Sequence, residues 1–258
     1  MIVLQKLFSI AANTFREAIR NRVLHAVLLM SFALVISSLA IGALSVENNA
    51  RVIRDMGVTF INFTVIFVAI FSGVSLLQVE LQRKTIYTIV TKPVARWLFI
   101  VGKFLGLAAT LFVVQLLVSL VFALVIIARG DPFSVVIVQS LVLMFFEGAL
   151  IAAVATVFSS FSTPVLSGVL TFGVFILGRL RGALYKYAEL MKEEALATLI
   201  KGMGVVIPDL TLHRADIEVA YTIPLNWSFV AYTCTYSLAY TGVCLILAIL
   251  IFSRRDFV

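Results

Sequence analysis

Six apolar blocks, each about 20 residues long, occupy most of this 258-residue chain and leave it few ways to fold. They run close to Val23–Ser45, Gly57–Val79, Phe104–Ile127, Val135–Phe158, Val165–Leu180 and Ser228–Phe252. A helix rising about 1.5 Å per residue crosses the roughly 30 Å hydrocarbon layer of a bilayer in one such block. A water-soluble core of this size would instead place its apolar residues at amphipathic spacing, and here they are continuous. Hydrophobic residues make up 62% of the chain, charged residues 13%, and the mean hydropathy is +1.12. In lipid every backbone polar group must be satisfied inside its own segment, so the blocks are helices. The short alternating strands of a membrane β-barrel are missing from the pattern. The expected fold is therefore an all-α integral membrane protein, a single transmembrane domain over residues 1–258 with six transmembrane helices. The fifth block is shortest, at about 16 residues, and its helix is expected to run on beyond the membrane. Arg179 at its outer edge would then snorkel to the interface.

Lys and Arg set the orientation. With the N-terminus in the cytosol, the inside segments hold eleven bases: Lys6, Arg16, Arg20, Arg22, Arg83, Lys84, Lys92, Arg96, Lys103, Arg254 and Arg255. Long outer loops translocate largely regardless of charge. Apart from the long segment between spans five and six, the outside holds three, Arg51, Arg54 and Arg129. Both termini are expected in the cytosol, with the chain a multi-pass protein of the cell's inner or plasma membrane. The formal net charge of +7 follows from a basic cytoplasmic face attracted to anionic lipid, and no nucleic acid is needed to explain it.

Residues 1–22 precede the first span as a charged segment unlike a cleavable leader, whose apolar stretch is short. Leu4, Phe8, Ala11, Phe15 and Ile19 fall on one helical face, with Lys6, Asn13, Arg16 and Arg20 elsewhere. That pattern predicts an amphipathic helix lying in the cytoplasmic interface. Residues 181–227 form the second distinctive region. Leu180, Leu184, Tyr187, Met191, Ala195 and Leu199 recur at helical spacing before "GMGVVIPDL" interrupts them. An extracytoplasmic interfacial helix followed by a loop or short re-entrant turn is expected, either gating an exit or simply packing on the span ends.

Enzymatic chemistry finds no footing in the sequence. H-E-x-x-H, G-x-S-x-G and paired-aspartate motifs are absent, His25 and His213 are far apart, and no metal site is expected. Cys234 and Cys244 both fall in the sixth span, where neither a disulfide framework nor a zinc motif is plausible. Gly102-Lys103 lacks the earlier glycine of a phosphate-binding loop, so any ATP must be bound by another chain. No cofactor is implied. Glu147, in "LMFFEGALIA", stands near the bilayer centre, about 18 Å along the fourth span. It is either a polar point on a transport path or a neutral carboxyl bonded to a neighbouring helix, through Gln115 or Gln139. Glycines 102, 106, 168, 173 and 178 are expected to let helices approach closely.

Between spans two and three lies a charged, proline-bearing stretch, residues 80–103, far longer than a connector requires. Glu80 to Val90 can form a short helix, Pro93 cannot continue it, and Val94 to Lys103 can lead into span three. A cytoplasmic protrusion that docks a partner is expected, against the simpler reading of a loop whose bases only enforce topology. The pattern E-x-x-R-K-T-I-x-x-x-x-x-K-P-V-x-R-x-x-x-x-x-G-K resembles the signature of permease subunits in the type-2 ABC exporter family. The matching positions are Glu80, Thr85, Pro93, Arg96, Gly102 and Lys103, with Arg83 and Lys84 between them; Lys84 stands where many relatives place glycine. The closing run resembles the family's Phe-x-Arg-Arg-Asp-Phe through Phe252, Arg254, Arg255, Asp256 and Phe257.

The resemblance implies a membrane permease that does not itself hydrolyse ATP. Two copies of a separate ABC ATP-binding subunit would grip the coupling loop, and a second permease copy or a paralogue would complete the path. It implies export of a lipid, a lipid-linked molecule or an amphipathic compound, with membrane lipid as a further partner. From the residues alone, a solitary carrier or channel and a non-transport membrane assembly factor remain open.

Overall fold

A computed structural model describes residues 2–44, 49–82, 95–131, 133–190 and 206–254, together with 198, 200, 202 and 204. For residue 2 and residues 77–82 the description extends to the backbone alone. Among these residues the chain is helical apart from its connections. Helix α1 covers Ile2–Ile19, α2 Arg22–Ala43, α3 Asn49–Gln82, α4 Arg96–Ala128, α5 Val135–Phe161 and α6 Pro164–Leu190. A short 3₁₀ turn, Thr211–His213, and α7, Asp216–Tyr221, lead to α8, Trp227–Ser253. Six of these helices, α2 to α6 and α8, are long and apolar enough to span a bilayer.

Local chemistry sets the boundaries. Asn21 caps α2 by accepting from Val23 N at 2.9 Å, and Asn226 caps α8 by accepting from Ser228 N at 3.0 Å. Pro164 occupies the first position of α6, where a missing N–H costs nothing. Helix α4 ends at Gly130, whose φ of +75° is open to glycine at little cost and lets Asp131 N reach back to Ile126 O.

Spans two, three and four form the packed interior. Span four is the most deeply buried, while spans one and five keep most of their surface outward. Polar bonds cross between helices, as expected where lipid competes for apolar contact and hydrogen bonds help to hold the spans together. Thr64 on span two donates to Ser31 on span one at 2.8 Å, and Ser159 on span four donates to Val74 O on span two at 2.9 Å.

Helix α1 packs along the first turns of α4, with Leu4 and Phe8 turned outward and exposed. Its seat depends on Gly102 and Gly106. A Cβ on Gly106 would meet the Ala11 carbonyl oxygen, and one on Gly102 would lie 2.9 Å from Ile10. Gly178 likewise allows a close approach, of Pro208 and Leu210. Close packing is not seen at Gly168 and Gly173, where an added Cβ would meet no described residue within 4 Å.

Because backbone blocks the space beside Gly106, Gly106→Ala should destabilise the protein by about 1–3 kcal/mol by forcing α1 away from α4. Gly242, which has nothing within 4 Å, supplies the control. Thermal unfolding in detergent should lower the Tm for Gly106→Ala and leave Gly242→Ala near wild type; equal Tm values would mean α1 is not seated this way.

Candidate functional site

A polar cluster interrupts the apolar interior where spans two, four and five meet. Glu147 on α5 is completely buried. Its Oε2 accepts from Asn62 Nδ2 on α3 at 2.9 Å and from Arg179 on α6 at 2.8 Å. The same Arg179 nitrogen donates to Asn62 Oδ1 at 2.8 Å, so each residue touches the other two. Arg179 therefore does not snorkel outward; it turns inward, because a carboxylate about 18 Å deep offers it a partner that lipid cannot. Nor do Gln115 and Gln139 serve Glu147. Gln115 donates to Leu141 O at 2.6 Å, while the Gln139 amide donates to Leu225 O and accepts from Leu225 N, both at 2.9 Å.

With Arg179 drawn to this depth, α6 continues to Leu190 beside the halves of its neighbours remote from Lys103. The apolar block that seemed to end near Leu180 is one face of a longer helix whose outer half carries Arg181, Lys186 and Glu189.

Beside this half lies the chain that leads back to span six. Leu210 N donates to Gly178 O at 3.4 Å, and Arg181 to Ile207 O at 3.1 Å. Asp209 N donates to the Tyr236 hydroxyl at 2.8 Å, and the Tyr240 hydroxyl donates to Val206 O. Tyr236 is about 14 Å along α8, so residues 206–213 dip alongside the spans. Residues after the "GMGVVIPDL" glycines therefore pack against the spans. His213, which reads from sequence as an ordinary loop residue, is buried there against span six. Ser237 gives its single proton to Thr233 O at 2.9 Å, so His213 Nε2–H donates to Ser237 Oγ in their 2.6 Å contact. Burial, helped by Arg179 nearby, pushes His213 down to about 4. No local motif marks His213; its signal is a lone titratable residue in a re-entrant segment.

At the opposite end lie the signature residues. Arg96 opens α4 and donates to Ser253 O at 2.6 Å and Phe252 O at 3.5 Å, the last carbonyls of α8. Phe99 stacks on Phe252 with centroids 6.3 Å apart. Arg96 of the Pro-x-x-Arg motif and Phe252 of the closing motif, distant in sequence, therefore meet. Lys103 Nζ donates to Leu76 O at 3.0 Å, joining the start of span three to the end of span two. Gly102 and Lys103, expected among the docking residues, are buried within this chain and fix the arms of the loop. Glu80 is described as helical backbone only, and Arg83, Lys84, Thr85 and Pro93 lie outside the described residues, as do Arg255, Asp256 and Phe257. The proposed short helix from Glu80 is thus described only through Gln82, as the end of α3.

Two predictions follow from these bonds. Removing one charge of the Glu147–Arg179 pair strands the other in an apolar interior at a cost of about 3–5 kcal/mol. Glu147→Leu and Arg179→Leu should each lower the Tm strongly, and Glu147→Gln with Arg179→Gln should recover much of the loss; single variants as stable as wild type would show the pair to be unimportant. His213 has a folded pKa below its ordinary value of 6.5, so its contribution to stability is fully present above pH 6.5 and fades as pH falls toward about 4. His213→Gln should flatten the fall in Tm across that window, and an unchanged profile would refute the assignment.

Set against known families, residues 8–257 match the model described as ABC-2 family transporter protein. Among curated proteins the chain finds no match.

Proposed function

The chain belongs to the ABC-2 transporter family, and on that premise we propose how it couples ATP hydrolysis to movement across the membrane. As a permease subunit of an ABC transporter it is a multi-pass membrane protein that associates with an ABC ATPase and does not hydrolyse ATP itself. In the proposed arrangement two ATPase subunits bind two permeases, this chain pairing with a second copy or a paralogue, and both termini face the cytosol. The substrate is a lipid, a lipid-linked molecule or another amphipathic compound, carried outward.

The observation that carries this reading is the anchoring of both arms of the 80–103 stretch. Lys103 ties span three to Leu76 on span two, and Arg96 ties the same arm to the end of span six. A push on Glu80, Arg83, Lys84, Thr85 and Pro93 would therefore reach three spans at once. Rigid elements joined in this way convert closure of a partner into rocking of the spans between inward- and outward-facing states. Glu147 and Arg179 would keep span five in step with spans two and four during that motion.

Reversing a charge against its partner costs several kcal/mol, roughly, through like-charge contact. Glu80→Arg, or Arg83→Glu with Lys84→Glu, should therefore lower ATPase-subunit retention or uncouple hydrolysis from transport while membrane insertion survives. Bound ATPase and its turnover, measured on each purified variant, test this; normal binding and normal coupling in both would reduce the stretch to a topology signal. Orientation has its own test. Cysteines placed at Arg51 and Lys192 should label from outside intact cells and one at Lys92 should not; the opposite pattern would invert the topology.

A further inference from the structure

Where α1 turns into span one, a cleft of about 100 Å³ opens between α1, α2, α3 and α4. Its chemistry is divided by depth. Toward the α1 end it is lined by Glu17, Asn21, Ser72, Ser75 and Lys103. Deeper in, Val27, Phe67 and Phe71 take over. Phe67 and Phe71 belong to a ladder on span two: Phe63 stacks on Phe67 with centroids 6.3 Å apart, and Phe67 on Phe71 at 6.4 Å with the rings nearly parallel. All three rings are exposed, although neighbouring residues of span two are buried in the core. From Ser75 to Phe63 the track runs about 18 Å, close to the depth of one leaflet's hydrocarbon. Arg20 and Arg22 flank Asn21 in the chain and are exposed, and Lys103 lines the cleft together with its single carboxylate, Glu17.

We propose that this cleft binds one anionic glycerophospholipid from the leaflet beside α1, with its phosphate at the Arg20–Asn21–Arg22 elbow and an acyl chain along Phe63, Phe67 and Phe71. Three independent features converge on that occupant. Guanidinium groups match phosphate oxygens in a planar, paired geometry. Asn21, Ser72 and Ser75 present amide and hydroxyl groups at the depth of the glycerol backbone. The apolar track starts where the polar lining stops, which is the order of parts in a lipid standing in its own leaflet. This site lies apart from the coupling stretch and from the Glu147 cluster. It holds a lipid between α1 and the three spans that line the cleft, whichever molecule is transported.

Native mass spectrometry of the detergent-solubilised protein, titrated with phosphatidylglycerol or phosphatidylcholine, tests the proposal. Wild type should retain a single phosphatidylglycerol in preference to phosphatidylcholine. Arg20→Gln with Arg22→Gln should lower that preference roughly thirtyfold, as loss of two basic contacts predicts. Phe67→Ala with Phe71→Ala, both on exposed rings, should reduce retention of either lipid, while Phe172→Ala on the exposed face of span five should not. Equal retention by the Phe67/Phe71 and Phe172 variants, or no preference for phosphatidylglycerol in wild type, would overturn the site. So would dissociation of a permease pair on changing Phe67 and Phe71, since the ladder would then be a protein interface.

Discussion

The ion pair between Glu147 and Arg179 is the interaction on which the arrangement of the spans turns. Lipid offers a charge no partner, so each member can remain at mid-membrane depth only while the other is there. Asn62 completes the triangle and commits span two to the same point. Much of the upper architecture follows. Drawing Arg179 inward sets the level of span five, that level brings Gly178 beside Pro208 and Leu210, and the returning chain is thereby guided to bury His213 against Ser237. Span five otherwise has little packed surface, so few other specific contacts fix its height.

The opposite end of the molecule uses a different device. There the charged groups serve helix ends: Arg96 meets the final carbonyls of span six, and Lys103 reaches Leu76 O. Both are directional bonds near helix ends, and both stiffen the base of the 80–103 stretch. α1 lies across the same base, held by the bare backbone at Gly102 and Gly106. A push delivered there meets a braced platform, and the buried pair above it gives span five a reason to follow.

What could be read from the sequence was whatever depends on segment-long patterns. Six spans, the early helix, the continuation of span five and the family all register as runs, periodicities or spaced motifs. Contacts that depend on a single side chain's direction did not. Arg179 near the end of an apolar block reads as an interface residue, because nothing local reveals that a carboxylate thirty-two positions earlier lies in reach. Gln115 and Gln139 looked equally suited to Glu147, yet each found a backbone partner. Gly102 and Lys103 belong to a recognisable motif, but no local pattern shows that Lys103 reaches Leu76 O. His213 carried no local motif, since its environment is assembled from a segment more than twenty residues away in sequence.

The most direct test of the account is a distance measurement during turnover. Spin labels at Val165, on the exposed first turn of span five, and at Trp97, at the start of span three, would be placed in the permease reconstituted with its ATPase. Pulsed electron resonance should show the separation shifting between nucleotide-free and ATP-trapped states. The shift should vanish when the ATPase is omitted and weaken when Arg179 is replaced by Gln. An unchanged separation while ATP is hydrolysed and substrate is moved would contradict a mechanism in which the cytosolic arm drives the spans.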